Sequence, residues 1–116
     1  MLIGSLVRAL AAGVRMALGS DIRPLKEAAL LELGLWVKDG ATPRQALLAA
    51  TRDAAELCGV GAELGTIQPG KLADLIVVDG DPLQDIANLR RLRLVFKEGR
   101  IVSDRRAEAI GRRQDP

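Results

Sequence analysis

The sequence predicts an α/β chain in two unequal parts, and three observations carry that expectation. Over residues 1–58, helix-spaced apolar positions give way to a short apolar run and a small-polar loop, the rhythm of a repeating α/β unit. From Gly59 onward glycines multiply and the apolar runs become β-branched, as in Leu75-Ile76-Val77-Val78. The 116 residues are enough for one modest core, and a 48% hydrophobic content argues against disorder. The parts are therefore 1–58, helical α/β; 59–103, glycine-rich β; and 104–116, a polar basic tail.

The elements follow in order. Ser5 to Ala12 suits a short helix with Leu6, Ala9 and Leu10 on one face and Arg8 off it, ended by Gly13. Val14 to Leu18 reads as a short buried strand, bounded by Gly19-Ser20-Asp21. Pro24 suits a first helical turn, and Leu25 to Lys38 has so few polar positions that most of its circumference is expected to be buried, Trp36 included. Thr42, Pro43 and Gln45 form a capping box with proline where its missing N–H does no harm. That helix runs on to Gly59 with an interruption near Thr51 and Leu47, Ala50, Ala54 and Leu57 on its apolar stripe. Cys58, beside the stripe, reads as a small core residue rather than a reactive thiol.

In the second part Gly65 and Gly70 read as backbone necessities at positive φ, and not as a phosphate cradle, since no strand–glycine–helix order surrounds them. Leu75–Val78 reads as a buried strand. Asp81-Pro82-Leu83-Gln84 caps a short helix reaching about Leu89. Leu92–Phe96 and Ile101–Val102 flank Lys97-Glu98-Gly99-Arg100, a hairpin with glycine in its turn. Lys71 and Asp74 are expected to shape a turn or pair at the surface. Beyond Ser103 the chain is polar, with at most a weak helix over Ala107–Ile110.

Composition removes whole classes of function. With no histidine, the chain cannot supply a histidine general base, a histidine-based triad or a histidine-ligated metal. One cysteine forms no internal disulfide, which fits a reducing compartment; a cytoplasmic location is expected. The net charge is +2, with an excess concentrated late: nine basic residues against four acidic ones from Arg90 to Pro116. Only Phe96 offers an aromatic platform there, so a solvated face is expected and nucleic-acid binding is not. The acid-free first twenty residues admit an organelle-targeting or surface-seeking helix, but a buried helix followed by a strand fits better. Arg8 and Arg15 would each cost about 2.5–3.5 kcal/mol at a bilayer centre, so no membrane span is expected.

The run Gly65-Thr66-Ile67-Gln68-Pro69-Gly70-Lys71-Leu72-Ala73-Asp74-Leu75-Ile76-Val77-Val78-Asp79 resembles the C-terminal signature of the metal-dependent amidohydrolase superfamily. Its imidazolonepropionase-like and Xaa-Pro dipeptidase-like branches are the most similar in character. Met16-Ala17-Leu18-Gly19-Ser20-Asp21 looks like a last barrel strand with its terminal acid. Gly40 to Leu47 and Ala49-Ala50-Thr51 resemble the helices that follow it, and Gly80 to Leu83 and Lys97 to Val102 the closing segments of the small β-sandwich. The order of these pieces is more specific than any one of them.

The resemblance implies a fold: the last strand–helix unit of a (β/α)₈ barrel plus the C-terminal part of a composite β-sandwich. It also implies a chemistry, hydrolysis of C–N bonds in cyclic amides or small peptides by metal-activated water. The family's ligands are a His-x-His pair, a lysine or glutamate bridging two metals, two further histidines and an aspartate. Asp21 takes the aspartate's place, as metal ligand and proton acceptor for the attacking water. The chain departs from the pattern in lacking every histidine, which would lie upstream of Met1. A divalent metal, zinc first, is thus expected in the complete parent and none on this chain alone, which is expected to be inactive.

Blander readings stand beside these. Asp21 suits a loop cap before a proline-initiated helix. Arg23, two residues on, would sit near the mouth of the site and could meet a substrate carboxylate, but a solvent-facing loop arginine is the stronger reading. The alternative function is a free-standing non-catalytic interaction domain or a truncated remnant. The expected partners are the missing N-terminal barrel and sandwich segment and the parent's small-molecule substrate. Self-association of the unpaired edges is expected too.

Overall fold

Helix formers dominate the first sixty residues, and helices are what the computed structural model shows there; it describes residues 3–21 and 25–107. Helix α1 spans Ile3–Ala11, α2 Leu25–Lys38, α3 Pro43–Ala50 and α4 Arg52–Leu57. Strand β1 is Leu75–Val78, and after a 3₁₀ turn at Ile86–Arg90 come β2 at Leu92–Lys97 and β3 at Arg100–Asp104. The chain is α/β. None of the described helices is long and apolar enough to cross a membrane.

The α3 start is as the sequence dictates: Gln45 N–H donates to Thr42 Oγ1 at 3.1 Å and Thr42 N–H to Gln45 Oε1 at 2.9 Å, with Pro43 at the first position. The helix then breaks at Thr51, as expected. Its buried residues, however, are Ala46 and Ala49, with Ala55 on α4, and Leu57 of the predicted stripe is 77% exposed. The break changes the phase of the apolar face, so a single stripe cannot run through both helices. Helix α2 has the predicted ends but buries only part of its circumference. Ala28, Leu33 and Trp36 face inward, whereas Leu31 and Leu35 lie open to solvent.

These helices and the 3₁₀ turn share one core, made of Leu33, Trp36, Ala41, Ala46, Ala49 and Leu89. Leu6 and Leu10 of α1 and Met16 and Leu18 of the next segment pack against it. Arg90 ties the turn to α2 through Glu27 Oε2 at 2.9 Å. The short helix expected from Asp81 begins later. Asp81 Oδ1 accepts the Leu83 N–H in a turn, and Asp85 caps the 3₁₀ turn by accepting from Ala87. Each aspartate satisfies its own turn, so one cap does not serve both.

The sheet is antiparallel in the order β1-β2-β3. Leu75 pairs with Phe96 and Val77 with Leu94, then the register shifts so that Val78 meets Leu92. Between β2 and β3, Val95 meets Ser103 and Phe96 meets Ile101, leaving Val102 as the extra residue of a bulge. The β2–β3 turn places Glu98 at φ 51° and Gly99 at φ 81°, the paired left-handed conformation that matches the twist of a two-residue hairpin. Gly65 and Gly70 are at φ 99° and 88°, as expected.

Three expectations fail here. Val14–Leu18 is extended but belongs to no sheet, because no described segment lies beside it to complete a ladder. Strand β1 is not buried on both faces: Ile76 and Val77 are 54% and 43% exposed, since among the described residues no second layer covers them. Cys58 is exposed, not core: it caps the C-terminal end of α4, one residue beyond the last helical position and next to the exposed Leu57. Most of Ala107–Ile110 lies outside the described residues.

Candidate functional site

The candidate site is built on the segment between α1 and α2. Gly13, at φ 78°, ends α1, and the Val14 N–H returns to the Ala9 carbonyl at 3.0 Å. The chain then runs extended across α3. Ala46 and Ala49, 0% and 1% exposed, leave room for this close approach, and the Leu18 N–H donates to the Ala49 carbonyl at 3.0 Å. Met16, Ala17 and Leu18 are half-buried. Asp21 closes the segment, exposed and at φ 54°. Aspartate tolerates that left-handed conformation better than most residues, and such positions cluster at functional sites.

Beneath the segment, Arg15 meets two acids of α4. Its guanidinium contacts Glu56 and lies 3.7 Å from Asp53, which also accepts from Arg52 at 3.0 Å. A small cavity of about 300 Å³ opens there, lined by Arg15, Met16, Asp53 and Glu56. The sequence reading missed this network. Its signal was available, an Asp53/Glu56 pair at three-residue spacing on one helix face, facing an arginine in an otherwise apolar stretch.

The residues present do not make up a metal centre. Among the described residues no group of three histidine, cysteine, aspartate or glutamate side chains is placed to hold an ion. Asp21 contributes one carboxylate, and the chain has no histidine. Arg23 lies outside the described residues. Lys71 and Asp74 are far from chemistry of this kind: both do structural work in the β part. The Lys71 ammonium donates to the Gly61 carbonyl at 2.7 Å and to Thr66 Oγ1 at 2.6 Å. Asp74 accepts the Glu98 N–H at 2.8 Å and the Lys97 ammonium at 3.0 Å, which together hold its carboxyl below the usual carboxylate range.

An open apolar groove of about 870 Å³ separates α4 from the sheet, lined by Ala54, Cys58, Leu64, Leu75, Phe96 and Val102 among others. It carries no convergent set of polar groups. The site that remains is therefore the Met16–Asp21 segment and its seat on α3.

Comparison with known proteins identifies the family. The Amidohydrolase family profile matches residues 3–102. An imidazolonepropionase of Thermoplasma volcanium is 35% identical over 99 residues, covering 80% of this chain and 24% of that protein. Among solved structures, molinate hydrolase superposes with TM-score 0.80 at 36% identity, covering 86% of this chain and 26% of that one. A Xaa-Pro dipeptidase with methionine bound in its active site gives TM-score 0.79 at 33% identity, over 88% and 25%. The chain thus spans about a quarter of the length of the relatives it matches. An extended segment ending in an acid, the capped helix behind it and the glycine-rich turn into a three-stranded sheet all fall inside the matched region, and the chain belongs to the amidohydrolase family.

Proposed function

We propose that this chain is the last strand–helix unit of a (β/α)₈ barrel together with the C-terminal strands of its composite β-sandwich, in a metal-dependent hydrolase of carbon–nitrogen bonds. The observation that carries the reading is the ordered family match over residues 3–102, with Asp21 standing at the end of an extended segment as the acid of a barrel strand would. Relatives named imidazolonepropionase and Xaa-Pro dipeptidase support cyclic amides or small peptides as the substrate class.

On this reading Asp21 is one oxygen ligand of a divalent metal, zinc first. Arg23 is a contact for a substrate carboxylate. Catalytic zinc sites use about three protein ligands. The others come from a histidine-bearing barrel and sandwich segment outside these 116 residues, which is the principal partner, and the chain alone does not hydrolyse. Nucleic acid and membrane have no part in it, and the cytoplasm is the expected compartment.

The test is to isolate the native species that carries this sequence, with an antibody against residues 65–79, and to measure its mass, metal content and hydrolysis of cyclic amides and Xaa-Pro dipeptides. A histidine-bearing, metal-containing hydrolase that Asp21→Asn weakens about a hundredfold or more, with its melting temperature unchanged, is expected. A native species of this length without metal or hydrolysis would overturn the reading in favour of a non-catalytic interaction domain.

A further inference from the structure

Helix α3 stops at Thr51, although strong helix formers dominate on both sides: Leu47-Leu48-Ala49-Ala50 before and Arg52, Ala54 and Ala55 after. The Thr51 hydroxyl donates to the Leu47 carbonyl at 2.6 Å, its N–H turns to Leu48 at 3.3 Å, and its backbone sits at φ −123°, ψ −87°. A hydroxyl that bonds four residues back competes with the helix ladder and bends it. In an unbroken helix the Ala49 carbonyl would accept from the N–H of Asp53. Here it accepts from Leu18, three residues before Asp21, at 3.0 Å.

A second element uses the same break. A Cβ on Gly65 would stand 3.0 Å from the Thr51 carbonyl, 3.2 Å from Arg52 Cα and 2.7 Å from Ala55 Cβ, so the loop ahead of β1 is seated in the notch that the break opens. The helix interruption is thus a joint at which the Asp21 segment and the glycine-rich loop both lock onto α3 and α4.

We propose that Thr51 is a positioning residue for Asp21: its back-bonded hydroxyl breaks the helix, frees the Ala49 carbonyl to hold Leu18, and so fixes the segment that ends in Asp21. The functional sense of the joint rests on the reading of Asp21 as a site carboxylate. The joint itself does not, and its test reads no hydrolysis.

The experiment compares isotope-labelled 116-residue chains carrying Thr51, Thr51→Val or Thr51→Ser by nuclear magnetic resonance. The readouts are Leu18 amide exchange and the HN–Hα coupling of Asp21, which reports its positive φ, with the β2 amides as reference. Thr51→Val keeps the shape and removes the hydroxyl. Its Leu18 amide is expected to exchange about five- to tenfold faster, and the Asp21 coupling to move, while the β2 amides hold. Thr51→Ser keeps the hydroxyl and is expected to retain both signals. Should the valine chain fail to fold, Thr51→Ala, the better helix former, makes the same comparison. A Leu18 amide equally protected without the hydroxyl overturns the proposal, and so does a serine variant that loses as much as valine. An unmoved Leu18 amide leaves the role of the Asp21 carboxylate standing, and a silent Asp21→Asn variant in the parent enzyme leaves the joint standing.

Discussion

The two parts of the molecule solve the same problem differently. The β part closes on itself: β2 pairs on both sides, Asp74 pins the start of β1 to the β2–β3 turn, and Lys71 holds the preceding loop from within. The helical part does not. Its extended segment touches α3 through a single described backbone bond, from Leu18 to Ala49, and α2 turns Leu31 and Leu35 to solvent. Helices satisfy their own backbone, so they form wherever local signals are good; a strand forms only where a neighbour supplies the other half of the ladder. The lesson is that a segment can carry every mark of a strand and remain a single extended stretch.

The contrast can be broken or sharpened by substitution. The largest effect is expected at Trp36, 8% exposed in the one core that the helices and the 3₁₀ turn share. Trp36→Ala should cost about 3–5 kcal/mol in urea denaturation and unfold the helical part, while the β2–β3 hairpin signals persist longest. Next comes Gly65, where the left-handed backbone and the Ala55 Cβ at 2.7 Å both oppose a side chain. Gly65→Ala should cost roughly 2–3 kcal/mol, because it strains the loop and pries it from α4.

Thr42→Ala should cost about 1 kcal/mol, since it opens a capping box whose two bonds are both made. The smallest effect separates the parts by pH. Arg106 holds the Asp104 carboxyl down from 3.8 to about 2, first through its guanidinium bonds and then through its N–H. A lowered carboxyl stabilises the fold above its unfolded value and loses that contribution as pH falls through the folded one. The end of β3 should therefore stay ordered at pH 4 and loosen towards pH 2, in a titration followed by amide exchange, and Asp104→Asn should remove that dependence.

Much of the fold was legible because it rests on local chemistry. The capping box at Thr42, the ends of α2, the break at Thr51 and the Glu98-Gly99 turn are each written within a few residues. What was not legible depends on neighbours. Val14–Leu18 has strand composition but no described partner strand, β1 has a buried strand's sequence but leaves Ile76 and Val77 exposed, and Cys58 has a core residue's character but an exposed place. Apolar composition states what a residue can bury, not whether something arrives to cover it. Within the candidate site, the order of motifs pointed to Asp21 as the candidate, whereas the Arg15–Asp53–Glu56 network and the Leu18–Ala49 bond join positions more than thirty residues apart and left only the faint spacing of two acids.

The Lys71 amine has a consequence for the chemistry of the surface. It reaches two acceptors ten and five residues back, at 2.7 and 2.6 Å, a geometry suited to a compact ammonium and not to a planar guanidinium. One nitrogen thus latches the whole turn from Gly61 to Lys71. Acylation of that nitrogen removes its charge and two of its protons, so an acylated chain should open at this turn first and be nicked there by protease while the strands beyond it stay paired.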